Sequence, residues 1–314
     1  MLHLPKYPTA IAGLTLGIAG LFVCWSAMVP QAGQLLSSIG AAIAILLISP
    51  LLIKFIRHPH LLRDDLQHAT VGSTVPTLAM TLMLISHSFG FFSVALASTI
   101  WLIAVILHII FFTTFSYHRI RDFDLHHMVP SWFVPPIGIV VACLTVPAPM
   151  FKPLALVLLA FGILAYAVLL PTMIYRLALR TNVEDARKPT LAILAAPASL
   201  NLAGYLTLAS HPNPILVILL FGIGLLMTAT VYMMLLHLIR LPFTPAFSAY
   251  TFPLAISATA MFKMSLWAHT SSLFLPYADW FFVVSIIEIT AASLVIGYVL
   301  QHYLCFIWKE IFLA

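Results

Sequence analysis

Chemistry in this sequence would have to come from its histidines and from two ionisable groups set inside apolar runs. Histidine occurs 13 times. His58 and His60, His118, and His126 with His127 fall in polar breaks between apolar runs. A His-ligated metal centre wants imidazoles about three or four residues apart on helices, supported by carboxylates. One pair here is split by a single residue and another is adjacent, with no carboxylate array beside them. A metal enzyme is disfavoured, and no metal ion or cofactor is assigned. His87 and His108 lie inside apolar runs and read as hydrogen-bonded core residues.

Lys263 and Glu288 are the formal charges inside apolar runs, and ionisable groups in such places are functional candidates by default. Glu288 reads first as an interhelical hydrogen bond, made as a protonated acid. Lys263 reads first as a side chain that reaches the interface or pairs with Asp279, ahead of a role in a pore. Nothing resembles a Gly-rich phosphate loop ending in Lys-Ser/Thr, and no Ser/His/Asp set stands out, so the chain is not read as an enzyme or an ATP-driven pump. Cys24, Cys143 and Cys305 all lie in apolar runs without a CxxC pair, which argues against a disulfide framework.

The elements around these residues belong in lipid. Hydrophobic residues make up 62% of the 314 and charged residues 7%. No soluble core could hide that apolar surface. The net charge of +5 is spread over short loops, which argues against nucleic acid. Apolar runs predict ten membrane helices near 8–28, 33–55, 71–88, 91–116, 129–146, 153–175, 191–209, 214–236, 245–267 and 280–306. The first is too long for a signal-peptide core. Loops after even-numbered helices carry Lys54, Arg57, Arg63, Arg119, Arg121, Arg176, Arg180, Arg187, Lys188 and Arg240. With Lys6 and Lys309, all of the 14 basic residues but Lys152 and Lys263 fall on one face. That face is expected to be cytoplasmic, with both termini on it.

A repeat underlies the pattern. Pro8, Pro76, Pro136, Pro197 and Pro253 recur about every 60 residues, each in an odd-numbered run rich in small or hydroxyl residues. Even-numbered runs are dominated by Leu, Ile, Val and Phe. Proline frees a backbone carbonyl, tolerated in lipid where that carbonyl is buried in protein or faces a wet cavity. The expected fold is all-α and integral to the membrane. It is a single domain over 1–314 of five helical hairpins, near 8–56, 70–117, 129–178, 189–240 and 245–306. The arrangement is quasi-five-fold, with kinked odd helices lining a central pore. Nine residues past each proline stand Gly17, Ile85, Thr145, Leu206 and Phe262. Equivalent repeats put these in one uncharged ring about 13 Å beyond the kinks, with Phe262 as its plug or as ordinary packing.

The ten runs, the proline in each odd helix and the segment Phe252-Pro253…Met261-Phe262-Lys263 resemble the TehA tellurite-resistance family. That family includes plant guard-cell slow anion channels and yeast malate and sulfite transporters. The resemblance covers the whole chain. It implies a homotrimer in a bacterial inner membrane, with one pore per protomer lined by the odd helices. It also implies anion selectivity through desolvation cost, and a ninth-helix phenylalanine, carried here by Phe262, that occludes the pore. The expected function is a passive anion channel linked to tellurite resistance. The alternative is a proton-coupled secondary transporter of dicarboxylates or oxyanions, disfavoured because the odd helices offer only His87 and Lys263 for proton coupling.

Overall fold

A computed structural model describes residues 4–179 and 183–312; Arg180, assigned above to the basic face, lies outside them. The described residues are helical or in turns, without strands. The α-helices are α1 (Ile11–Met28), α2 (Gly33–Arg57), α3 (Pro59–Gln67), α4 (Val71–Thr74), α5 (Thr77–Phe89), α6 (Val94–Arg121), α7 (Val134–Ile137) and α8 (Val141–Leu144). They continue with α9 (Lys152–Leu179), α10 (Ala196–Leu208), α11 (Pro214–Leu238), α12 (Thr251–Ala268) and α13 (Ala278–Ile307). Among the described residues, seven helices are long and apolar enough to cross a membrane. The number is up to eight if the bent pair Pro59–Gln67 and Val71–Phe89 is one span.

Two populations of helix differ in burial. In the segments Ile11–Met28 and Lys188–Leu208, 67% and 78% of the most apolar stretch is buried, against 28% in Pro149–Leu179 and in Pro214–Leu238. The exposed faces of α2, α6, α9, α11 and α13 carry Leu46, Ile103, Leu164, Leu226 and Leu294, suited to lipid. The buried elements contact one another in a closed circuit, α1 to α5, α5 to α8, α8 to α10, α10 to α12 and α12 back to α1. Around it, α2 packs on α1 and α5, α9 on α8 and α10, α11 on α10 and α12, and α13 on α12 and α1.

The five prolines mark breaks in the buried elements. Pro76 separates α4 from α5, and Pro136 sits in α7 just before a 3-10 turn at Gly138–Val140. Pro197 and Pro253 stand in the first turns of α10 and α12, where 3-10 segments Lys188–Ala195 and Pro245–Tyr250 become α-helix. Pro8 precedes α1, and its carbonyl accepts from the Ile11 amide at 3.2 Å. Proline cannot donate to the ladder, so each break falls where that bond is missing. His108 of α6 is a hydrogen-bonded core histidine, as the sequence suggested: its Nε2 bonds the Pro135 carbonyl at 2.9 Å, while its Nδ1 is buried without a partner.

Four outer helices tie their C-terminal ends to the backbone that leads into an inner element. Lys54 Nζ at the end of α2 donates to the Tyr7 carbonyl at 2.9 Å. Arg119 of α6 bonds the Gln67 carbonyl, and Arg176 of α9 bonds that of His126 at 3.1 Å. Tyr303 of α13 donates to the Pro245 carbonyl. Lys54, Arg119 and Arg176 are therefore buried at helix ends and are not the solvated loop cations expected from the sequence. The Lys54 bond satisfies the carbonyl of buried Tyr7, which left bare would cost about 1–3 kcal/mol.

Candidate functional site

Two cavities lie inside the circuit. The wider, about 550 Å³, is lined from α1, α5, α7, α10 and α12, by Gly13, Thr77, Ile137, Pro197 and Pro253 among others. The first turns of α5, α10 and α12 reach it, so the positive ends of three helix dipoles face its interior. Lys6, Lys54, Asp65, His68 and Arg187 stand on its wall. Lys54 is neutralised there: its ammonium is 3.3 Å from Thr9 Oγ1, which donates to Asp65 Oδ2 at 2.6 Å. Burial, and then the nearby Arg187 and Arg119 guanidinium groups, holds His68 below the usual imidazole range. Its Nδ1 accepts from the amides of Thr70 and Val71 at 3.2 and 3.1 Å.

The narrower cavity, about 290 Å³, is lined by Gly20, Cys24, Leu84, His87, Leu144, Thr259 and Lys263 among others. Among the described residues, Phe252 is the one on both walls. Its side chain is buried, and it begins the row on α12 that faces the narrower cavity: Phe252, Ala255, Ile256, Thr259, Phe262 and Lys263. That spacing is one face of a helix.

Phe262 stands on the wall of the narrower cavity, its ring 6.2 Å from that of Phe282 on α13. Gly17, Ile85, Thr145 and Leu206 line neither cavity. Their preceding neighbours Leu16, Leu84 and Leu144 do. One residue turns a helical side chain by about 100°, enough to move it from the cavity into the helix contacts. Gly17 faces Thr251 of α12, and Thr145 Oγ1 bonds the Val141 carbonyl at 3.2 Å. Of the prolines, Pro8, Pro197 and Pro253 line the wide cavity, while Pro76 and Pro136 do not.

Lys263 does not pair with Asp279, whose carboxylate lies 3.7 Å from His269 at the surface. Lys263 lines the narrow cavity. Glu288 lines a separate void of about 20 Å³ with Ser199, Thr228 and Ser257, and its Oε2 is buried without a hydrogen-bond partner. Among the described residues, no group of His, Cys, Asp and Glu could hold a metal ion. Sequence reasoning passed over Thr9, Asp65 and Phe252 as site residues. Phe252 carried a signal, since it immediately precedes the proline of its helix.

The sequence is 22% identical over 230 residues to the uncharacterized transporter MJ0762 of Methanocaldococcus jannaschii, covering 65% of this chain and 67% of that one. It is 23% identical over 216 residues to the uncharacterized transporter MJ0576 of the same organism, covering 60% and 62%. Residues 6–304 match the family described as voltage-dependent anion channels, SLAC1. With a match from the first basic residue to the last turns of α13, in a multi-pass helical protein, the chain belongs to the SLAC1 anion channel family.

Proposed function

We propose that the chain is a passive anion channel of five hairpins and ten membrane crossings, in which the two axial cavities form the path and Phe252 is its barrier. The observation that carries this reading is that, among the described residues, Phe252 alone borders both cavities. A benzyl side chain between two voids closes them by volume and offers no charge. An anion then passes only when the ring swings aside and hydration is partly shed. The dipole ends and basic residues around the wide cavity favour anions over cations there. The four ties from outer helix to inner lead-in support the hairpin as the repeating unit. Phe262, the plug expected from its spacing, is one wall of the narrow cavity on this reading. Assembly as a homotrimer in a bacterial inner membrane, and the tellurite link, rest on the family resemblance.

The test is anion flux through purified protein in liposomes. Displacing the ring costs on the order of 1–3 kcal/mol in lost contacts, so Phe252→Ala should raise flux roughly 10- to 100-fold. Phe262→Ala should change it less than about threefold. The reverse ranking would restore Phe262 as the barrier. A proton-coupled transporter of dicarboxylates or oxyanions would show currents that move with a pH gradient. The channel gives ohmic current reversing at the anion equilibrium potential. Glu288, the buried acid such coupling could use, lines neither axial cavity.

A further inference from the structure

We infer that the narrow cavity holds a binding site for a small monovalent anion, of the halide or nitrate class, whose counter-charge is the Lys263 ammonium. The inference rests on the permeation reading above and adds a site to it. Lys263 lies 11 residues after Phe252, about three turns along the same face of α12, so both side chains address one void. Among the described residues, it is the single formally charged one on that cavity's wall. No carboxylate forms an ion pair with it among the described residues. Asp279 is engaged by His269, and Glu288 belongs to the void among Ser199, Thr228 and Ser257. The hydroxyl protons of Thr259 and Ser26 are spent on the Ala255 and Val23 carbonyls, at 2.9 and 2.8 Å, so neither is free to donate to an anion and the ammonium is left as its charged donor.

Lys54 in the wide cavity shows the contrast. It has a carbonyl, a hydroxyl and, through Thr9, the Asp65 carboxylate. A satisfied cation attracts little, whereas an ammonium facing an apolar void with no counter-charge is stabilised chiefly by a mobile anion. One positive charge matches one negative charge. A divalent anion would leave net charge in the same apolar surroundings, which selects monovalent species. A volume of about 290 Å³ accommodates such an ion with part of its water shell.

The experiment uses the full chain carrying Phe252→Ala, in planar bilayers, with chloride varied on the side where the narrow cavity opens. Chloride NMR linewidths of the detergent-solubilised protein give a second readout that needs no conduction. Lys263→Met should lower conductance about 10-fold at low chloride, the two curves converging near 1 M salt, where the screening length is about 3 Å. It should also abolish the protein-dependent chloride line broadening, while Lys263→Arg keeps both properties. If Lys263→Met is not monodisperse, Lys263→Gln replaces it. A linewidth that the charge-removing variant leaves unchanged overturns the site, whatever the current does. If the Phe252→Ala protein carries no current while Lys263 still governs the linewidth, the channel reading fails and the site stands.

Discussion

The ring of Phe252 rests directly on Gly20: a methyl at Gly20 would lie 3.2 Å from its Cδ2 and 3.3 Å from its Cε2. One turn earlier, a methyl at Gly17 would lie 2.3 Å from Thr251 Oγ1 and 2.9 Å from the Phe252 amide nitrogen. The two glycines let α1 approach α12 backbone to backbone. The Thr251 hydroxyl donates to the Gly13 carbonyl at 3.0 Å across the same seam.

Gly20→Ala presses on the edge of the ring and not on fixed backbone, so the ring yields. Basal anion conductance should rise a few-fold, about 1 kcal/mol in barrier terms. In a Phe252→Ala background the same change should do nothing, because the two residues act through one contact. Additive effects in the double mutant would show that Gly20 acts by another route.

Gly17→Ala meets the backbone of α12 and cannot be absorbed by a rotamer. It should lower stability by about 1–3 kcal/mol, read as a lower midpoint in thermal unfolding of the purified protein. A parental midpoint would mean that the seam has slack.

Acidification should weaken the fold through His68. Its folded pKa lies below the unfolded value of about 6.5, so the unfolded chain binds more protons between the two. The stabilisation is present above that unfolded value and is lost as pH falls toward the folded pKa. Comparing melting temperatures at pH 7 and pH 5, His68→Gln should show a smaller drop than the parent. An equal drop assigns the acid sensitivity to other groups.

Arg176→Met removes the bond that ties the end of α9 to the His126 carbonyl. The segment before Pro130 should then be cut faster by protease in the folded protein, with anion selectivity unchanged. Equal cutting rates would mean that packing, not this bond, holds the segment.

Much of this was legible from composition and period. Proline every 60 residues or so, with small residues after it, separated the buried elements from the lipid-facing ones, because kinks and close approach need protein neighbours. Which residues of the buried helices face the void was not legible, because that depends on how each helix is rotated about its own axis, which spacing from a proline does not fix. After Pro136 the 3-10 turn at Gly138–Val140 also changes the rotation per residue, and Leu144 faces the void beside Thr145, as Leu84 does beside Ile85 in unbroken α5. The ties of Lys54, Arg119 and Arg176 were hidden for another reason. A basic residue at the end of an apolar run looks the same in sequence whether it meets water or a carbonyl.

The seam between α1 and α12 joins segments 238 residues apart at the Thr251–Gly13 bond, and this has a consequence for biosynthesis. Chains enter the membrane from the N-terminus onward. The glycines that receive the ring are inserted first, and the helix that carries the ring is among the last. Until then the groove along Gly17 and Gly20 stands open, and the circuit of buried helices lacks its closing member. A truncated chain ending before Pro245 would therefore lack both the Phe252 ring and the closing member of the circuit. Quality control that retains unfinished chains would protect the ion gradients of the cell as well as its proteome.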